Sequence, residues 1–99
     1  MFRTGDLSFD LVRHVVRVAD KEVKLSRKEY ELLGVLVQHA GKVLTHKFLL
    51  TKLGQEVTGA QYLRGYVQRL RQKIEADPER PQYIFTETGI GYRLQAPEG

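Results

Sequence analysis

Tyr62-Leu63-Arg64-Gly65-Tyr66-Val67-Gln68-Arg69-Leu70-Arg71-Gln72-Lys73-Ile74 reads as a helix with one apolar stripe and one cationic face. Leu63, Val67, Leu70 and Ile74 recur at the spacing that stacks side chains on a single side of a helix. With that stripe turned into a core, Gln61, Gly65, Gln68 and Gln72 point directly away from it. Arg64 and Arg71 lie on one flank of this outer face, and Arg69 lies on the other. From Gln61 to Lys73 the chain carries Arg64, Arg69, Arg71 and Lys73 and no acidic residue. Forked donors and amides gathered on one surface suit phosphates and base edges. Such a helix has the pattern of a recognition helix; the plainer reading is a solvated surface.

The segments on either side place this helix in a fold. Upstream, Leu7–Leu11, His14–Val18 and Lys21–Leu25 are short β-prone runs, with a tight turn expected at Asp20-Lys21. Together they predict a small antiparallel sheet of three strands. Ser26-Arg27-Lys28-Glu29 is a capping box. The helix it opens carries Tyr30, Leu33 and Val37 beside Leu32, Leu36 and Ala40, and Gly41 is its expected stop. Thr45 is a second N-cap, opening a short helix through Phe48, Leu49 and Leu53. A loop over Gly54–Gly59 leads into the cationic helix, which starts near Thr58 to Ala60. A helix, a short connection and a second, basic helix make a helix-turn-helix.

Downstream, Pro78 and Pro81 end the long helix. Tyr83 to Leu94 then reads as two β-prone runs around a Thr88-Gly89 turn, a hairpin placed where a wing belongs. The fold expected is therefore α+β: a winged helix-turn-helix with an N-terminal antiparallel sheet, three helices and a C-terminal β-hairpin wing.

Ninety-nine residues suffice for one domain, and a net charge of +4 with a pI near 9.5 favours a polyanionic partner. The absence of cysteine excludes a disulfide framework and a thiolate zinc site. No apolar run has the length of a membrane span or the form of a signal peptide, so the expectation is a cytoplasmic protein without a membrane partner. His14, His39 and His46 match no ligand spacing, so no metal is expected and packing or surface roles are. Gly89-Ile90-Gly91 lies in a hairpin and opens no helix, which excludes a dinucleotide fingerprint. With no nucleophile-and-base pattern, no catalytic residue and no cofactor site are expected. Enzyme is the weakest class.

Taken together, several stretches resemble the winged-helix effector domain of OmpR/PhoB-type bacterial response regulators. They are the N-terminal strands, Glu29-Tyr30-Glu31-Leu32-Leu33, Gly41-Lys42-Val43-Leu44-Thr45, Leu70-Arg71-Gln72-Lys73 and Gly91-Tyr92-Arg93. Tyr62-Leu63-Arg64 and Thr86 to Arg93 resemble more narrowly the members that control potassium-uptake genes. The resemblance implies a transcription factor of a two-component system. It also implies a receiver domain in the full-length protein, absent from residues 1–99, and two copies bound head to tail on direct DNA repeats. It further implies that RNA polymerase is touched through the Gly54–Gly59 loop. There this chain departs from the family, carrying Leu53-Gly54 where a Trp-Gly pair is usual and a short loop after it, so an altered contact is expected.

On this reading Gln61, Arg64, Gly65, Gln68 and Arg69 face the major groove of double-stranded DNA, arginine suiting guanine and glutamine suiting adenine. Thr45, Arg71, Thr86, Thr88 and Tyr92 are candidates for contacts to the phosphate backbone. Four of these have a plainer role open to them: Thr45 as a helix cap, Thr86 and Thr88 as β-formers, Tyr92 as a cover for the sheet. Gly65 costs the helix about 1 kcal/mol, either as a tolerated weak spot or because another backbone must come close. A winged-helix protein-interaction module is the rival reading, and a binder of structured RNA is the third.

Overall fold

The computed structural model describes residues 1–54 and 59–97, without the side chain of Ala60. Four short strands open the chain: β1 (Phe2–Thr4), β2 (Leu7–Asp10), β3 (Val15–Val18) and β4 (Lys21–Val23). They form an antiparallel meander in the order β1-β2-β3-β4. The sheet thus has one strand more than the sequence reading gave it. Gly5-Asp6 makes the extra hairpin, with Gly5 at φ +54° and Thr4 paired to Leu7. The expected Asp20-Lys21 turn is also corrected. It sits on Ala19-Asp20, both at positive φ (52° and 66°), as a type I′ connection between paired Val18 and Lys21 requires. Between β2 and β3, the Asp10 carboxylate accepts from the amides of Val12 and Arg13, so Leu11 and His14 fall outside the strands.

Helix α1 (Arg27–Gln38) begins in the expected capping box: the Ser26 hydroxyl accepts from the Glu29 amide, and the Glu29 carboxylate accepts from the Ser26 amide. Its C-cap is His39 rather than Gly41. Gly41, at φ +85°, instead turns the chain so that its amide donates to the Leu94 carbonyl at 2.8 Å. The N-terminal sheet lies on α1 through Phe9, whose ring stacks on that of Tyr30 at 5.0 Å.

The connection from Gly41 to Thr45 contains a strand that the sequence did not show, β5 (Val43–Thr45). Thr45 then caps α2 (His46–Lys52), its hydroxyl accepting from the Phe48 amide. After residues 55–58, which lie outside the described residues, comes α3 (Gly59–Ile74), followed by β6 (Ile84–Glu87) and β7 (Gly91–Leu94). The hairpin is therefore the greater part of a three-stranded sheet, β5-β7-β6. Gly91 makes this possible. A Cβ there would sit 1.8 Å from the Leu44 carbonyl oxygen, so only glycine lets β5 and β7 come so close.

Leu63, Val67, Leu70 and Ile74 are all buried, meeting Leu32, Leu33 and Leu36 of α1, Leu49 of α2, and Ile84 and Leu94 of the wing in one core. Each such burial contributes about 1.5–3 kcal/mol. The fold is the expected winged helix-turn-helix. Among the described residues no helix is long and apolar enough to cross a membrane.

Candidate nucleic-acid interface

Because the stripe of α3 is buried, its other side must face outward, and it does. Gln61, Arg64, Gln68 and Arg69 are exposed, and Gly65 lies among them. Among the described residues nothing crowds Gly65: an added Cβ would find only the tip of Arg69, 4.0 Å away. Its helical φ is ordinary, so neither backbone geometry nor internal packing requires a glycine there.

The four cations of the helix divide into two pairs. Lys73 bonds the buried carboxylate of Glu29 on α1 at 2.5 Å, tying α3 to the capping box. Burial pushes the Glu29 pKa up, but the Lys73 ammonium and the Ser26 amide outweigh it and hold the carboxyl below its ordinary range. Arg71 is half-buried. Its Nε and Nη2 donate to the Ile84 carbonyl at 3.2 and 2.9 Å, and Nη2 also reaches the Thr86 hydroxyl at 2.7 Å. Arg64 and Arg69 keep their charge for the outside, with no carboxylate within 4 Å among the described residues.

The candidate backbone contacts also separate. Thr45, Thr86 and Thr88 are exposed, the first at the N-terminus of α2 and the other two on the wing. Tyr92 is only 5% exposed. Its ring lies edge-to-face with His46 at 5.5 Å, and the Arg71 guanidinium lies 5.8 Å from its centroid. Tyr92 is thus part of the wing's packing, between the two helices of the helix-turn-helix. The other histidines also pack on rings, His14 on Tyr30 and His39 on Phe48.

Glu75 has a role that its place in the sequence does not announce. Buried just past α3, its carboxylate accepts from the amides of Gln82, Tyr83 and Ile84 and so anchors the start of the wing. The signal open to the sequence was an acid directly after a helix, which is disfavoured by the dipole and needs a partner. The Gly54–Gly59 loop, to which an RNA polymerase contact was assigned, has its residues 55–58 outside the described residues.

The exposed face of α3, with a capped helix before it and a wing beside it, carries the free cations Arg64 and Arg69 on a helix, an element that a major groove admits. Residues 20–94 match the family described as "Transcriptional regulatory protein, C terminal". The chain is 44% identical over 96 residues to the KDP operon transcriptional regulatory protein KdpE of Escherichia coli (strain K12), covering 95% of this chain and 43% of that protein. It is 38% identical over 97 residues to the sensory transduction protein RegX3 of Mycobacterium tuberculosis (strain ATCC 25618 / H37Rv), covering 96% of this chain and 43% of that one. It therefore spans less than half the length of either relative. Among solved structures, the OmpR/PhoB homolog DrrB of Thermotoga maritima superposes with a TM-score of 0.90 at 35% identity, over 96% of this chain and 44% of that one. The DNA-binding domain of Klebsiella pneumoniae RstA, solved in complex with the RstA box, superposes with a TM-score of 0.85 at 26% identity, over 94% of each chain.

Proposed function

As the chain belongs to the OmpR/PhoB-type family of transcriptional regulatory C-terminal domains, we propose that residues 1–99 bind double-stranded DNA sequence-specifically, with α3 in the major groove. The observation that carries this reading is that an added Cβ at Gly65 would meet, among the described residues, only the tip of Arg69. A glycine that costs helix stability and serves no internal contact is accounted for by a partner whose surface comes down onto the helix. Gln61, Arg64, Gly65, Gln68 and Arg69 face the groove in this reading, with Arg64 and Arg69 carrying the free charge. The superposition on RstA, a DNA-binding domain solved in complex with the RstA box, supports duplex DNA as the partner.

Thr45, Thr86 and Thr88 contact phosphates, Thr45 with the amides of the α2 N-terminus beside it. Arg71 and Tyr92 serve the backbone contact from within, by fixing the wing at its angle to α3, and reach a phosphate only at their edges. The domain is the output unit of a two-component response regulator in the cytoplasm, with a receiver domain elsewhere in the full-length protein. Two copies occupy a pair of direct repeats, and RNA polymerase meets the loop after Gly54. Control of potassium-transport genes is the physiological role that the identity to KdpE supports.

A competition assay with duplex DNA, duplex RNA and an acidic peptide tests the reading. DNA should win, because A-form RNA closes its major groove to a helix. Affinity should also fall steeply with salt, with a log–log slope near −0.9 for each phosphate neutralised. A preference for the peptide, or a flat salt response, would move α3 to a protein partner.

A further inference from the structure

Two tyrosines stand one turn apart on α3 and meet each other. Their rings are 4.8 Å apart and inclined at 62°, and the Tyr62 hydroxyl lies 3.1 Å from that of Tyr66. The next residue along that side is Arg69, whose guanidinium carbon lies 5.2 Å from the centroid of the Tyr66 ring. Tyr66 is half-buried and packed against the core, whereas Arg69 is exposed. A fixed ring therefore lies under a free arginine.

An exposed arginine samples many rotamers and loses that freedom on binding, which weakens whatever contact it makes. A ring beneath the guanidinium removes much of that loss beforehand. It lies 5.2 Å from the guanidinium carbon, and Arg69 stays exposed, so its N–H fork is available to a partner. Guanine presents O6 and N7 to such a fork in the major groove. Arg64 has no aromatic ring beneath it among the described residues, so any effect of the ladder is confined to Arg69.

We propose that Tyr66, held by Tyr62, is a specificity-determining positioning residue that presents the Arg69 guanidinium to a single base pair. This rests on the reading that the outer face of α3 enters the groove. Docking strengthens the arrangement, because the cation–π attraction grows as water leaves.

The test starts from the duplex that the wild-type domain selects from a randomised library, with a scrambled duplex as control. Selection is repeated with Tyr66→Leu, Tyr66→Phe, Arg69→Ala and the Tyr66→Leu/Arg69→Ala pair. Tyr66→Leu should relax preference at the same base pair as Arg69→Ala and weaken the selected duplex about two- to fivefold, leaving the scrambled one unchanged. It should cost nothing further once Arg69 is alanine. Tyr66→Phe keeps the ring and should keep the preference. An independent readout needs no DNA and no folded variant: the Arg69 Hε resonance of the wild-type domain should be displaced by the Tyr66 ring current. An undisplaced resonance, equal losses on both duplexes or additive losses in the pair would overturn the proposal. If the wild-type domain selects no sequence, the DNA reading itself fails. If it does select one and Tyr66→Leu leaves that preference intact, only the role of Tyr66 fails.

Discussion

Arg71 clasps the carbonyl of Ile84 with two donors, Nε at 3.2 Å and Nη2 at 2.9 Å, and so joins the last turns of α3 to the first residue of β6. Glu75 completes the joint from the other side, accepting the Ile84 amide at 2.9 Å. Helix and wing meet a duplex as one surface only if their angle is fixed, and these two side chains fix it. Charged hydrogen bonds of this kind contribute about 1.5–3 kcal/mol.

Arg71→Ala should therefore cost about 1–3 kcal/mol of stability and speed amide exchange in β6 more than in α1. Arg71→Lys should rescue little, since an ammonium cannot grip one carbonyl with two parallel donors. Urea melts with residue-resolved hydrogen exchange check both. Equal exchange in β6 of the variants and the wild type would show that the clasp does not hold the wing.

At Gly91 the expectation is severe. A methyl group would lie 1.8 Å from the Leu44 carbonyl oxygen, and that oxygen belongs to backbone. Gly91→Ala must separate β5 from β7, at about 3 kcal/mol or more, and the melting temperature should fall by at least 10 °C or so. A variant melting within a few degrees of the wild type would mean that the strands part at little cost.

How much of this was legible in the chain depended on the range of the interaction. The stripe of α3, the outward direction of Gln61, Gly65 and Gln68, and the caps at Ser26 and Thr45 are set by neighbours within a turn, and all could be read. Strands β1 and β5 could not. Each is three residues long and is a strand only because a partner lies beside it, and the sign of β5 was Gly91, nearly fifty positions away. The cationic face was over-read for the same reason. Lys73 looks free in the sequence, but its partner Glu29 is 44 residues back.

That pair also gives a pH dependence. The folded-state pKa of Glu29 is held below its ordinary value of 4.5, by Lys73 and Ser26 against the opposing effect of burial. Its contribution to stability is complete above the ordinary value and is lost as pH falls through the lower folded one. Glu29→Gln keeps the reach back to the Ser26 amide but loses the ion pair. Urea midpoints at neutral pH and at successively more acidic values should show the wild type losing its advantage over Glu29→Gln only on the acid side. A constant gap would remove Glu29 as the cause.

If a partner's surface comes down over Gly65, Gly65→Leu should exclude it. Leucine is a better helix former than glycine by about 0.8 kcal/mol, and among the described residues an added Cβ would meet only the flexible tip of Arg69, 4.0 Å away. Thermal melts and titrations on the wild-type-selected duplex should be run on Gly65→Leu and wild type side by side. The variant's melting temperature should be higher by about 3–6 °C, together with a loss of duplex affinity of a hundredfold or more, about 2.7 kcal/mol. A stabilised Gly65→Leu domain that binds the duplex as tightly as the wild type would contradict it, and would take α3 out of the groove.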